Sequence, residues 1–315
     1  MIALAHKTKP YLLSATKLII LGITFAYIYT KVSHFNTQAF SNLLDAIQNN
    51  KVPYLFLFAG LAVLNWLLEI GKWKMIISPV KKISFIEASK QSLAALTVSL
   101  ATPNRIGDYG AKAYYYPSEK RRQVVLLNFL GNSAQMVVTI IFGSIGLFII
   151  MMDHDLSFSA LKIISIVLLG MGLLGAGYIF KEKELLVKGL SITNVIKYVQ
   201  RLPFRIKRDV LFFSVLRYLC FSYLFLQLIW LFGSDIPFSE GYPLVVSMYL
   251  LVSLIPTIFI FDVIVRGGVA IWLFSLVNVP ELTVLSTVIA MWLLNFVIPS
   301  LIGSFYIATF KAKTK

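Results

Sequence analysis

Gln123–Met152 is a run of thirty residues without one charged side chain. That run constrains the chain more than any other feature. A helix needs about 20 mostly apolar residues to cross the hydrocarbon core of a bilayer. Only segments that satisfy their backbone hydrogen bonds internally persist there. Leu282–Phe310 is a second such run, of twenty-nine residues. Composition agrees: 58% of the 315 residues are hydrophobic and 14% charged, against about 25% charged in soluble domains. The chain reads as an all-α, multi-pass integral membrane protein.

Six stretches are long enough to cross: Tyr11–Thr30, Pro53–Ile77, Gln123–Met152, Lys162–Phe180, Val210–Phe232 and Leu282–Phe310. Lys17 lies near enough to the start of the first to snorkel. Glu69, Lys72 and Lys74 fall late in the second and read as a snorkelling cluster at the interface. Phe40, Leu43, Leu44 and Ile47 recur at helical spacing, as do Ile192, Val195, Ile196, Val199 and Leu202. Both read as interfacial helices, the second basic through Lys197 and Arg201 and ended by Pro203.

Two further apolar segments are too short to cross. Only fourteen uncharged residues separate Lys90 from Arg105. Pro243–Phe261 is interrupted at Pro256, and again fourteen uncharged residues separate Arg266 from Glu281. Ser84-Phe85-Ile86-Glu87 has the form of a capping box and predicts a helix start. The expectation is two re-entrant helical hairpins, at about 84–117 and 243–280.

The formal charge of +15 suggests nucleic acid at first sight, but no basic soluble domain exists to bind it. Its distribution fits the positive-inside rule instead. With both termini cytoplasmic, 21 of the 29 Lys and Arg fall in inner segments and only Lys31, Lys51 and Lys162 in outer loops. The expected location is a plasma membrane, the inner one in a bacterium. In this topology residues 1–152 and 153–315 share one plan: two crossings, a broken hairpin and one crossing. Three crossings invert the second copy relative to the first. Inverted repeats with broken helices mark transporters, whose sites lie where the breaks meet.

Charges in lipid are costly and therefore call for a function. Arg105 and Arg266 would approach the midplane from opposite faces, with Asp108 and Asp262 close by in sequence. Thr102, Asn104, Gly107, Lys112, Gly267 and Gly268 complete the candidate substrate site. Guanidinium groups bind phosphate in bidentate fashion, and a helix start adds a positive dipole end. The expected partner is a membrane lipid with an anionic headgroup. Asn128, Asn132 and Gln135 share one face of the third crossing, where they either bond between helices or line a polar path.

Thr102-Pro103-Asn104-Arg105-Ile106-Gly107-Asp108-Tyr109-Gly110-Ala111-Lys112-Ala113 resembles the signature of the membrane region of lysylphosphatidylglycerol synthases. Proteins consisting of that region alone are described as flippase-like. The usual pattern is Thr-Pro-Gly-Arg-hydrophobic-Gly-Glu; here Asn104 stands for that Gly and Asp108 for the Glu. In the second hairpin, Pro256 and Asp262 precede Arg266-Gly267-Gly268, so the acidic residue lies on the other side of the Gly pair. The resemblance implies transbilayer movement of lipid. Synthase activity is not expected, because the sequence ends five residues after the last crossing.

Other chemistry is thinly represented. His6, His34 and His154 stand apart, and Asp153-His154-Asp155 reads as a solvated turn rather than a metal site. Cys220 reads as a small core residue. No cofactor is expected. Two alternatives to a flippase-like transporter stay open: a lipid transferase using Asp108 or Asp262 as base, and a non-transporting partner of another membrane protein, docking through 181–208; a homo-oligomer stays open beside them.

Overall fold

The computed structural model describes residues 52–102, 105–153, 192–255 and 262–310, with a few positions between 15 and 41. The described residues are helical, with turns and short connections between the helices and no strand. They form α1 (Val52–Ile76), α2 (Phe85–Leu100), α3 (Gly107–Tyr114), α4 (Ser118–Asp153) and α5 (Ile192–Arg201). There follow α6 (Phe204–Leu231), α7 (Phe238–Leu254), α8 (Asp262–Ser275), α9 (Glu281–Trp292), a π-helical turn (Leu293–Val297) and α10 (Ile298–Ala308).

Among the described residues, four continuous helices are long and apolar enough to cross: α1, α4, α6 and α9 through α10. They coincide with four of the six crossings read from the sequence. Of the other two, Lys162–Phe180 lies outside the described residues and Tyr11–Thr30 is described only in part. Residues 15–20 there are helical, and Lys17 Nζ donates to the carbonyls of Ala308, at 3.1 Å, and Phe310. Lys17 therefore caps the end of the last helix instead of snorkelling alone. The amphipathic stretch from Phe40 also falls outside the described residues, apart from Ser41.

Helix limits run past the expected ones because a charge marks the membrane edge, not the helix end. α4 begins at Ser118, with Lys120–Arg122 in its first turns, and α6 begins directly after Pro203. α7 begins at Phe238, so Pro243 lies inside it; there the proline forfeits one backbone bond, to Ser239.

Each short apolar segment folds as a pair of helices packed on one another, α2 on α3 and α7 on α8, called the first and second hairpins. Ser84 caps α2 as the sequence predicts, with reciprocal bonds to Glu87. α3 runs back along α2, and Tyr116 Oη donates to Gln91 Oε1 at 3.0 Å, early in α2. Lys120, in the first turn of α4, reaches the Val80 carbonyl at 3.5 Å. The first hairpin thus begins and ends beside the start of α4. The second behaves likewise at the other end. Ile150 and Asp153, closing α4, share a cleft with Glu240 and Pro243 of α7 and with Val277 and Asn278 after α8. Thr283, opening α9, donates to the Phe232 carbonyl at 3.1 Å.

Packing is exchanged between the halves. α7 lies along α4, α2 along α10, and α1 along α6. In lipid, close packing and small residues bring helices together, since the solvent is itself apolar. A Cβ at Gly143 would fall 2.3 Å from Leu250 Cβ, and one at Gly303 2.1 Å from the Leu93 carbonyl oxygen. These glycines let each hairpin seat against a long helix of the other half. The Thr97 hydroxyl adds a bond to the Ser300 carbonyl at 2.9 Å.

Candidate functional site

The break in the first hairpin is tied locally. The Thr102 hydroxyl donates back to the Ser99 carbonyl at 3.1 Å and accepts the Gly107 N–H at 2.8 Å. A Cβ at Gly107 would lie 2.6 Å from the Val98 carbonyl oxygen, so this position needs glycine for close approach. Arg105 has φ +55°. A left-handed conformation costs a non-glycine residue about 1–2 kcal/mol, and such outliers concentrate at functional sites. The strained turn carries the Arg105 guanidinium over the Phe296 ring, 4.5 Å from its centroid.

The second hairpin brings a counterpart. Arg266 on α8 lies over the Tyr249 ring at 5.8 Å. Arg105, Arg266 and Arg217, from α6, all line one cavity of about 580 Å³. Its wall also holds Trp66, Trp292 and Phe296, with Gln135 and Thr139 from α4. Among the described lining residues there is no carboxylate. The two hairpin arginines therefore line one cavity.

The wall beside Arg217 follows from a proline. Pro299 has no N–H to offer the Asn295 carbonyl, and the helix widens into its π-turn just before it. The freed Asn295 carbonyl accepts the Trp66 indole N–H at 3.3 Å. Asn295 Oδ1 accepts from Asn65 Nδ2 at 2.7 Å, and Asn65 Oδ1 accepts from Arg217 Nε at 3.2 Å. Behind them, Glu69 Oε2 lies 3.0 Å from Arg217 Nη1 and 2.7 Å from Lys72 Nζ. The interfacial cluster expected of Glu69 is thus an internal ion-pair group. Lys74 stays exposed and outside it.

A second polar group lies off the cavity lining. Lys112 Nζ contacts Asp108 Oδ1 at 3.1 Å and Asn128 Oδ1 at 2.9 Å, and stands over the Trp73 ring at 4.6 Å. Asn128 donates in turn to Asp108. Trp73 Nε1 donates to Gln91 Oε1, which also takes the Tyr116 hydroxyl. Asn132 bonds the Tyr109 hydroxyl at 3.1 Å. Of the substrate residues read from sequence, Arg105 and Arg266 line the cavity. Thr102 and Gly107 shape the turn, and Asp108 and Lys112 pair with Asn128. Gly267 is buried near Leu285 and Gly268 faces open space. Asn104 and the side chain of Asp262 lie outside the described residues. Of the pathway residues, Gln135 reaches the cavity; Asn128 and Asn132 bond to the first hairpin. Arg217, Asn65, Asn295 and Glu69 were not singled out as site residues. The available signal was opposite charge in two crossings of matching rank, Glu69 in the second and Arg217 in the fifth.

The family described as the lysylphosphatidylglycerol synthase TM region matches residues 14–303. The chain belongs to this family. No curated protein matches the sequence. As a member of that membrane family, the chain is multi-pass and fits a lipid-related role. The match includes Thr102, Arg105 and Gly107, which shape the turn that delivers Arg105.

Proposed function

We propose that this member of the lysylphosphatidylglycerol synthase TM-region family is a flippase-like transporter for a lipid with an anionic, phosphate-containing headgroup. The observation that carries this reading is the convergence of Arg105, Arg217 and Arg266 on one cavity. Guanidinium groups match phosphate oxygens in pairs, and aromatic walls suit the glycerol and acyl stem below them. The family's own name points to a phospholipid.

The hairpin feet at opposite ends of α4, and the exchanged packing of α2 on α10 and α7 on α4, support an inverted repeat with re-entrant hairpins. That architecture puts the site near mid-bilayer and lets one half rock against the other. The charge bias supports cytoplasmic termini, and Lys17 against the end of α10 is consistent with both ends on one side.

The test is reconstitution into liposomes with a dye-labelled phosphatidylglycerol, followed by quenching of the outer leaflet. Wild type is expected to let the label exchange across the bilayer faster than protein-free vesicles do. Arg105→Ala and Arg266→Ala should each slow it about tenfold, the equivalent of about 1.4 kcal/mol of lost headgroup interaction. Wild-type rates in both variants would remove the arginines from the mechanism.

A further inference from the structure

Two cations compete for one oxygen of Glu69. Its Oε2 is 2.7 Å from Lys72 Nζ, one turn along α1, and 3.0 Å from Arg217 Nη1 on α6. The three side chains are 13%, 3% and 24% exposed for Glu69, Lys72 and Arg217. One carboxylate thus holds two cations largely out of water, and the trio carries one positive charge in excess. An unbalanced charge in such a place is expensive. Of the two cations, Arg217 lines the cavity and Lys72 is not among its lining residues. The anion that balances the trio therefore comes from the cavity side.

The surroundings also decide which pair gives way. Asn65 holds Arg217 at Nε, and Asn295 holds Asn65. The guanidinium keeps its place on the wall without Glu69. Glu69 keeps Lys72 when Arg217 turns from it. We infer that Glu69 is a resident counter-ion, which Arg217 exchanges for the anionic group of an incoming ligand. This rests on the anion-binding reading of the cavity. The exchange balances every charge only in the filled state: Glu69 is shared by Lys72 and Arg217 when the cavity is empty, and the headgroup takes Arg217 when the cavity fills. Glu69 so lowers affinity and speeds release, which a transported ligand requires.

The sign of one substitution separates this from a plain supporting role. If Glu69 only orients Arg217, removing its charge weakens binding; if it competes, removal strengthens it. The probe is dihexanoyl phosphatidylglycerol, with one net negative charge, titrated calorimetrically into the full chain in detergent. Dihexanoyl phosphatidylcholine, which is net neutral, is the reference. Exchange predicts that Glu69→Gln binds the anionic probe about tenfold tighter and the neutral one unchanged. The gain should vanish in Glu69→Gln with Arg217→Gln. Glu69→Gln strips Lys72 of its partner, so Glu69→Gln with Lys72→Met, which removes both charges together, carries the test where the single variant does not fold. Unchanged or weaker anionic binding in the folded Glu69 variant, with the wild-type preference intact, overturns the exchange and leaves the cavity reading standing. A wild type without preference for the anionic probe overturns the cavity reading itself, and the exchange with it.

Discussion

Lys112 is 3% exposed and meets Asp108, Asn128 and the Trp73 ring together. Breaking such a pair from one side leaves a buried charge without its partner, which typically costs about 3–5 kcal/mol, whereas removing both partners together costs far less. Lys112→Met is therefore expected to lower the unfolding temperature sharply. Asp108→Asn with Lys112→Met should recover most of the loss, measured by thermal unfolding of the purified protein. The same double variant should keep its preference for anionic lipid, because neither residue lines the described cavity. What the sequence reveals at this scale depends on cost. Arg105 and Arg266 stand out because nothing apolar explains a charge amid such segments. Glu69, Lys72 and Arg217 sit near the ends of long crossings, where a charge can equally reach water by snorkelling. Only the facing of α1 on α6 distinguishes the two cases, and that pairing is a tertiary fact.

Between elements, small residues decide the fit. Gly143→Ala would press a methyl against Leu250, and Gly303→Ala against the Leu93 carbonyl and the Thr97 hydroxyl. Overpacking of this kind costs about 1–3 kcal/mol, and both variants should unfold at lower temperature. Gly60→Ala on α1, with nothing within 4 Å of the added carbon, should be neutral or raise stability by up to about 1 kcal/mol. At the mouth of the first hairpin, the Ser84 backbone N–H holds the Glu87 carboxyl below its usual range, with help from Lys81. A carboxyl lowered by folding adds stability that is complete above its unfolded pKa and fades as pH falls through the folded one. Glutamine also serves in a capping box but does not titrate. The difference in unfolding temperature between wild type and Glu87→Gln should therefore shrink on acidification into the carboxylate range. The capping box was legible from four residues because its bonds are local. The π-turn was not: Pro299 announces a disturbed bond to Asn295, but its resolution by Trp66 needs a helix more than two hundred residues away in sequence.

At the scale of the molecule, the long uncharged runs made the membrane class readable, since it follows from the bilayer as solvent. How the halves interlock was not, because helix facing in lipid depends on side-chain fit rather than on hydropathy. The interlocked arrangement makes a demanding statement about sidedness. Lys82 and Ser118 flank the first hairpin and are exposed, as are Ser239 and Glu281 around the second. If each hairpin returns to its own face, cysteines at Lys82 and Ser118 share one side, and cysteines at Ser239 and Glu281 share the other. Cys220 is buried, so it gives little background to an impermeant thiol reagent. Applied to oriented membrane vesicles, the reagent should label Lys82→Cys and Ser118→Cys only from the cytoplasmic face. Ser239→Cys and Glu281→Cys should react only from the opposite face. A split within either pair would mean that its segment crosses the bilayer an odd number of times. The proposed inverted repeat would then fall, and the shared cavity of Arg105 and Arg266 would need another origin.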